Sequence, residues 1–189
     1  MTDEVKTGNV SNPPQGQGEL TRLPNGGYRV TFVRHYERPL EDLWEAITTP
    51  DGLDSWYPTK LRHDGVVGSK VTETFESFDG TPPPEAPEGV VTAYEPPSVF
   101  EMRVDGPEES EYEGMRGTQT IRMVAKAGVE EDTSFLTFTH DVEHKSSALN
   151  VLPGWHWCLE SLALHLGGHG DASKENHDRI VGWYRASVD

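Results

Sequence analysis

The residue types best suited to metal, acid–base or nucleophilic chemistry in this chain of 189 residues are eight histidines and a single cysteine, Cys158. The string HDVEH contains His140 and His144 and invites comparison with the zinc-protease motif HExxH, which requires a helix. The residues around it alternate as a strand does, so the two imidazoles lie about 13 Å apart and cannot bind one ion together. The sequence therefore predicts no metal site at this string.

Two further features argue against chemistry near the long C-terminal helical pattern. His165 and His169 have helical i, i+4 spacing, but Gly167 and Gly168 lie between them and favour the end of a helix. Cys158 falls in an apolar stripe with no sequence signature of a nearby base, which favours packing as a small hydrophobic side chain over nucleophilic catalysis. We predict no catalytic residue and no metal ligand, and nothing in the sequence indicates a cofactor.

His140 is the polar residue of greatest interest because of its neighbours. Strand alternation places Leu136, Phe138, His140 and Val142 on one face and the residues between them on the other. An imidazole among apolar side chains is partly desolvated and needs a hydrogen-bond partner. Two roles stay open. The ring could orient a carbonyl or hydroxyl of a ligand, or it could be a structural histidine that bonds a backbone carbonyl or reaches solvent at the strand end.

Composition limits the class of protein that positions these residues. The chain carries 16 Lys and Arg against 32 Asp and Glu, a formal net charge of −16. Such an acidic surface repels phosphate backbones and anionic lipid, so we expect no nucleic-acid partner. A lone cysteine cannot form an internal disulfide, and no run of about 18 apolar residues predicts a membrane span. We expect a cytoplasmic monomer or homodimer, and the sequence leaves any protein partner open.

Hydrophobic patterning divides the chain into three parts. Residues 1–27 hold few apolar side chains and predict a flexible N-terminal arm. Residues 28–168 combine strand and helix periodicities and predict one α+β domain. Residues 169–189 show helical spacing at Ile180 and Tyr184 and predict a helical extension that packs back on the domain.

The periodicities within residues 28–168 predict a strand, two short helices, six further strands and a long helix. Period-2 alternation in YRVTFVRHY indicates the first strand, and the short helices follow Pro39. The long helix is predicted over GWHWCLESLALHL and ends at Gly167-Gly168. Between the short and long helices, turn residues separate segments that predict an antiparallel meander. These segments are approximately residues 59–64, 69–78, 88–94, 98–105, 115–126 and 133–143.

Four stretches carry a resemblance to a known family. They are PLEDLWEAITTPDGLDSWYP, GVVGSKVTETF, GVVTAYEPPSVFEMRV, and FLTFTHDVEH followed by GWHWCLESLALHL. Together they resemble the START-like (SRPBCC) superfamily, and within it the branch of proteins like the homologue of the activator of heat-shock-protein ATPase. The resemblance covers about residues 28–168. It implies the helix-grip fold, in which a curved antiparallel sheet of about six to seven strands wraps around a long C-terminal helix.

A curved sheet closed by one helix often leaves an elongated, mostly apolar cavity suited to a small ligand. Strand alternation and the helical stripe nominate side chains for its wall, with Trp56 placed near an entrance and Val104 on the face of Phe100. An apolar stripe of this kind also forms plain core, so that alternative stays open for each. The candidate ligand-binding residues are Trp56, Phe75, Phe100, Met102, Ile121, Met123, Phe138, His140, Trp155, Leu159 and Leu162.

Three functions follow from these expectations. The leading prediction is non-enzymatic binding of a small hydrophobic or amphipathic molecule, such as a lipid, a polyketide or an aromatic metabolite. An alternative is a cyclase- or hydrolase-like enzyme that uses the same cavity with His140 as acid or base, although the sequence shows no matched partner for it. The third is a co-chaperone that regulates a heat-shock ATPase, which only the resemblance implies.

Overall fold

The computed structural model describes residues 15–75, 88–109 and 113–187. The first short helix follows a long strand, as predicted, and a 3₁₀ helix over Glu113–Met115 precedes the seventh strand. The elements in chain order are β1 (Glu19–Arg22), β2 (Tyr28–Tyr36), α1 (Leu40–Thr48), α2 (Pro50–Leu53), β3 (Lys60–Arg62), β4 (Lys70–Thr74), β5 (Gly89–Glu95), β6 (Val99–Asp105), β7 (Thr118–Ala127), β8 (Ser134–Val142), α3 (Lys145–His165) and α4 (Lys174–Ser187).

All eight strands form one antiparallel sheet in the order β1-β2-β8-β7-β6-β5-β4-β3. The strands from β3 to β8 form a meander. The last of them, β8, pairs with β2 along the whole length of both strands. Helix α3 packs against β2 and β8 and covers the inner face of the sheet. The predicted α+β helix-grip fold is therefore confirmed.

The sheet has more strands than predicted because part of the expected flexible arm is ordered. Glu19–Arg22 forms β1 and pairs with β2, with Leu20 opposite Val30. The flexible-arm prediction is thus wrong for this segment. Main-chain hydrogen bonds to the edge of β2 hold it, and these do not require apolar side chains. Residues 1–14 of the expected arm lie outside the described residues.

The helices agree with the predicted order, but the long helix is longer than expected. Helix α1 buries Leu43 and Ile47, two of the residues at helical spacing. Helix α3 begins at Lys145 instead of Gly154 and contains Pro153 in its interior. The sequence C-terminal to Gly154 supplied the apolar stripe, whereas the first turns of α3 carry mixed polar and apolar residues and show no such stripe.

A row of large side chains crosses the sheet in register and forms its main contact with α3. Phe32 pairs with Phe138, Phe138 with Met123, and Met123 with Phe100. These four residues, here called the core row, are fully buried. Trp155 of α3 packs on Phe138 with ring centroids 4.5 Å apart. Burial of each side chain of this size contributes about 1.5–3 kcal/mol, so the core row anchors the helix to the sheet.

The hydroxyl of Tyr184 joins α4 to the rest of the domain. The Gly18 N–H donates to Tyr184 Oη at 2.6 Å, and Tyr184 Oη lies 2.9 Å from His156 Nδ1 on α3. Burial lowers the pKa of His156 to about 3, so the ring is neutral. Tyr184 can therefore donate its own hydrogen to His156 Nδ1 while it accepts from Gly18. The C-terminal helix thus packs back on the domain.

We expect Tyr184→Phe to lower the free energy of unfolding by about 1–3 kcal/mol, because the Gly18 N–H and His156 Nδ1 both lose their partner. Tyr28→Phe is the matched control, since the hydroxyl of this half-buried tyrosine takes no part in the contact. It should change stability by less than about 0.5 kcal/mol. Urea denaturation measures both variants. Equal effects in the two would show that the Tyr184 hydroxyl does not join these elements.

Candidate functional site

A cavity of about 460 Å³ lies between the inner face of the sheet and α3. Its volume falls in the range of roughly 300–1,000 Å³ that is common for small-molecule sites. Strands β4, β6, β7 and β8, the segment after α2, the 3₁₀ helix and α3 all contribute to its wall. The lining residues are Tyr57, Pro58, Thr59, Glu73, Phe75, Val104, Gly114, Met115, Gln119, Ile121, His140, Asn150, Val151, Gly154, Trp155 and Cys158.

The structure brings four of the predicted site residues to this wall: Phe75, Ile121, His140 and Trp155. Val104, nominated from its strand face, also lines the cavity. The remaining predicted residues are buried in the core and do not border this cavity. They are Trp56, Phe100, Met102, Met123, Phe138, Leu159 and Leu162.

On β7, position along the strand, and not strand face, separates a residue of the cavity wall from a residue of the core. Met123 belongs to the core row and packs inside the domain, whereas Ile121, two residues earlier on the same face, reaches the cavity. Ile121 pairs with His140, and Gln119 pairs with Val104. The cavity therefore borders β7 and β8 nearer the start of β7, whereas Met102 on β6, opposite Ile121, is fully buried and does not line it.

Trp56 does not lie at an entrance, so that part of the prediction is wrong. Its side chain is only 3% exposed, and its Nε1–H donates to the carbonyl of Ala46 at 3.0 Å. This bond fastens the segment after α2 to α1. The neighbouring Tyr57 lines the cavity instead, with its ring centroid 5.2 Å from that of Trp155. Adjacent aromatic residues in a turn have no periodicity from which to infer which one faces inward.

His140 is held on both sides of its ring by side chains. Trp155 Nε1–H donates to His140 Nδ1 at 2.8 Å, so Nδ1 carries no hydrogen. The neutral ring therefore bears its hydrogen on Nε2, which donates to Gln119 Oε1 at 2.8 Å. Gln119 Nε2 in turn donates to the carbonyl of Gly114 at 2.8 Å. This chain, here called the His140 network, links α3, β8, β7 and the 3₁₀ helix.

The His140 network favours the structural role over ligand orientation, with side-chain partners in place of the expected backbone carbonyl. Burial lowers the pKa of His140 to about 4, so the ring is neutral at pH 7. Protonation would put a hydrogen on His140 Nδ1, which would then face the Trp155 Nε1–H donor and could no longer accept its hydrogen bond. The same network explains why a histidine is stable at an inward position among apolar residues.

The other ionisable groups at the wall are also shifted by burial. Burial raises the pKa of the Cys158 thiol to about 12, which keeps it protonated, in line with its predicted role as a small hydrophobic side chain. Burial also raises the pKa of Glu73, although Thr59 Oγ1 donates to Glu73 Oε2 at 2.8 Å and opposes the shift. The wall therefore presents a thiol and a carboxyl group, both with pKa values raised by burial, among apolar side chains.

Some lining residues that the prediction missed have a sequence signal. Glu73 lies two residues before Phe75, and Gln119 lies two residues before Ile121, so each shares a strand face with a predicted site residue. Both inward polar residues could therefore have been found from the strand faces. Asn150 and Val151 were missed because the helix was expected to begin after them. Gly114 lies in a 3₁₀ helix without a periodic pattern.

One group outside the cavity brings metal-ligating atoms together. Glu108, Glu143 and His144 place one ligand atom each within 4.8 Å of the others. Both glutamates are exposed, and His144 lies at the N-terminus of α3, whose partial positive charge opposes a cation. The helix N-terminus therefore works against the attraction that the two carboxylates exert on a cation.

A long helix over an antiparallel sheet, with a cavity between them, defines a helix-grip protein of the START-like class. The chain matches the model of the family described as "Activator of Hsp90 ATPase homolog 1-like protein" over residues 37–167. It belongs to that family. It has no match among curated protein sequences. No helix in the described part of the chain is both long and apolar enough to cross a bilayer.

Solved structures share the fold at low sequence identity. CalU16 from Micromonospora echinospora is 16% identical with a TM-score of 0.65, and the match covers 91% of this chain and 94% of CalU16. Aha1 from Colwellia psychrerythraea, solved as a dimer, is 25% identical with a TM-score of 0.54, covering 74% of this chain and 97% of that one. DynU16, described as a putative protein in the dynemicin biosynthetic locus, is 16% identical with a TM-score of 0.56. That match covers 74% of this chain but 47% of DynU16.

The His140 network predicts a loss of stability in mild acid. The unfolded chain binds a proton at an ordinary histidine pKa of about 6.5, whereas folded His140 resists protonation until about pH 4. The contribution of neutral His140 to the free energy of unfolding is fully present above pH 6.5 and is lost as the pH falls. The loss reaches about 2 kcal/mol at pH 5.

Urea denaturation of the unaltered protein and of His140→Gln between pH 7 and pH 5 measures the effect. The variant should have the shallower pH dependence, because it lacks the group that titrates. His156 contributes equally to both proteins and cancels in the comparison. Parallel pH profiles would contradict a neutral, fully bonded His140.

Proposed function

We propose that this protein binds a small hydrophobic or amphipathic molecule in the cavity beneath α3 and does not transform it. The cavity of about 460 Å³ is the observation that carries the proposal. Apolar side chains such as Val104, Ile121 and Val151 form much of its wall. Apolar surface removed from water contributes about 25 cal/mol per Å², which supplies the driving force for an apolar ligand.

Polar atoms at the wall favour an amphipathic ligand over a pure hydrocarbon. Glu73 and Asn150 both line the cavity. The carboxyl of Glu73 receives one hydrogen bond from Thr59 and retains further acceptor capacity. A ligand hydroxyl or amide placed there gains a hydrogen bond that replaces one to water. A hydrocarbon would leave the remaining acceptor capacity of Glu73 unused and would remove water from it.

The state of the ionisable groups supports binding without turnover. His140 uses both ring nitrogens within the His140 network and would have to leave Trp155 to accept a proton. The protonated thiol of Cys158 is a poor nucleophile. These contacts weaken the cyclase or hydrolase alternative, which depends on His140 as acid or base.

The relatives bear on the ligand class. DynU16 is described as a putative protein in a biosynthetic locus, which favours the polyketide or aromatic metabolites among the expected ligands. The co-chaperone function rests on the family alone and stays a prediction from resemblance. The cavity, in contrast, is a property of this chain.

Substitution of Gly154 with phenylalanine should block the cavity. Gly154 lies on α3 at the wall, and outside its own helix no atom lies within 4 Å of an added methyl group. Gly182 on α4 is equally open but does not line the cavity, so Gly182→Phe is the matched control. Both changes replace a helical glycine with a residue of better helix propensity, so neither should unfold the protein.

The neutral fluorescent probe N-phenyl-1-naphthylamine measures uptake. We expect saturable binding to the unaltered protein and to Gly182→Phe, with affinity at least about tenfold lower in Gly154→Phe. No saturable uptake by the unaltered protein, or equal uptake by the two variants, would overturn the proposal. Native mass spectrometry of freshly purified protein provides a second readout, because a retained ligand adds its mass to the unaltered protein and not to Gly154→Phe.

A further inference from the structure

A second pocket, of about 760 Å³, lies on the other side of α3 from the cavity. Its wall includes Arg34 and Tyr36 of β2, and His156 and Glu160 of α3. The cavity instead uses Gly154, Trp155 and Cys158 of the same helix. The two spaces therefore have separate walls and do not share a lining residue.

Arg34 is a charged residue at a core-facing position of β2. The alternation that buries Phe32 continues through Arg34 and Tyr36, and Arg34 is only 9% exposed. Arg34 Nη1 donates to the carbonyl of Gly16 and, at 3.4 Å, to that of Val33. Nη2 is buried and has no hydrogen-bond partner among the described residues. No carboxylate of the described residues lies within ion-pair distance of it.

The guanidinium of Arg34 is held in place from two sides. Gly16 has a φ of +69°, and a methyl group at that position would lie 2.6 Å from Arg34 Nη1, so the backbone there fits closely over the charged group. The carbon atom Cζ of Arg34 lies 5.2 Å from the centroid of the Phe32 ring. These contacts fix the group and leave Nη2 as an unused donor.

Tyr36 supplies a second unused donor in the same pocket. It is 5% exposed, and its buried hydroxyl has no hydrogen-bond partner in the part of the chain that the structure describes. Burial raises the pKa of Tyr36, so the hydroxyl keeps its hydrogen at neutral pH. Residues two apart on one strand face lie about 7 Å from each other, so one small ligand can reach both Arg34 and Tyr36.

The acidic residues of the pocket limit the charge of such a ligand. Glu160 Oε2 accepts the Asp171 N–H at 3.0 Å, and Glu160 Oε1 lies 3.7 Å from His156 Nε2. Asp171 Oδ1 accepts the Ser173 N–H at 3.0 Å. Arg34 and Arg179, whose guanidinium donates to the neutral Asn176 Oδ1, balance these two carboxylates in the wall. The pocket therefore has no excess of positive charge that would favour a ligand with two negative charges over a ligand with one.

We propose that this second pocket binds a small organic acid, whose carboxylate accepts hydrogen bonds from Arg34 Nη2 and the Tyr36 hydroxyl. A buried guanidinium nitrogen and a buried hydroxyl without acceptors are costly, and hydrogen bonds to a charged acceptor are the strongest available replacement. The proposal does not depend on ligand binding in the cavity.

Isothermal titration calorimetry with benzoate at constant ionic strength tests the proposal on the full chain. We expect saturable binding, with neutral benzamide and inorganic phosphate each at least about tenfold weaker. Tyr36→Phe, which removes one hydroxyl, should weaken benzoate binding about tenfold, and Arg34→Gln should weaken it further. Arg103→Gln is the matched control, because it removes the same charge from an exposed position on β6 and should leave benzoate affinity unchanged.

NMR of arginine side chains in the unaltered protein keeps the test valid if Arg34→Gln does not fold. Benzoate should shift the Arg34 guanidinium resonances with the same saturation as the calorimetry. Benzoate binding that fails to saturate, that is no tighter than that of benzamide or phosphate, or that Tyr36→Phe leaves unchanged would overturn the proposal. An equal loss in Arg103→Gln would also overturn it, because the effect would then be one of overall charge.

Discussion

One long helix has to cover the inner face of an eight-stranded sheet, and this constraint organises the whole domain. Strands about 4.8 Å apart make such a sheet roughly 34 Å wide, whereas a helix with its side chains is only about 10 Å wide. Helix α3 therefore meets the sheet along the core row, where Trp155 packs on Phe138. Helix α1 covers part of the remainder, against β7 and β8, and α4 packs on α3. The cavity and the second pocket occupy the space beside α3 that they leave.

Two inward-facing polar residues of the sheet meet the cost of burial in different ways. His140 has hydrogen-bond partners for both ring nitrogens, from Trp155 and Gln119, and its neutral form removes the charge. Arg34 cannot become neutral, and its Nη2 has no partner among the described residues. A buried polar group that is fully bonded stabilises one packing arrangement, whereas one that is left unpaired is available to a ligand. The contrast separates a structural group from the group to which we assign ligand recognition on the same sheet face.

Local periodicity was sufficient to predict most elements of this fold. The alternation in β2 and β8 and the apolar stripe of α3 agree with the structure because side-chain direction follows from backbone geometry. Strand β1 and the first turns of α3 could not be predicted in this way. Strand β1 is ordered by main-chain pairing, which leaves little trace in side-chain type. Helix α3 continues through Pro153, a residue that usually marks a helix start or break.

The site was harder to predict than the fold, for a reason that Ile121 and Met123 illustrate. Both lie on the inner face of β7, yet Ile121 borders the cavity and Met123 belongs to the core row. Alternation assigns a residue to a face, but the place where α3 touches that face depends on side chains from several strands at once. Contacts between distant segments decide it, and one sequence without structure does not contain that distance information.

The same packing has a consequence for the selectivity of the ligand binding that we propose for the cavity. Two of its polar side chains, His140 and Gln119, are already used to hold the wall together. Recognition is left to shape, to apolar contact and to a few polar atoms such as those of Glu73. One methylene group is worth only about 0.8 kcal/mol when it is buried, so ligands of similar size and polarity are weakly distinguished. A change of wall residues at fixed fold would then alter the preferred ligand without disturbing the core row, which is consistent with a fold shared at 16% identity.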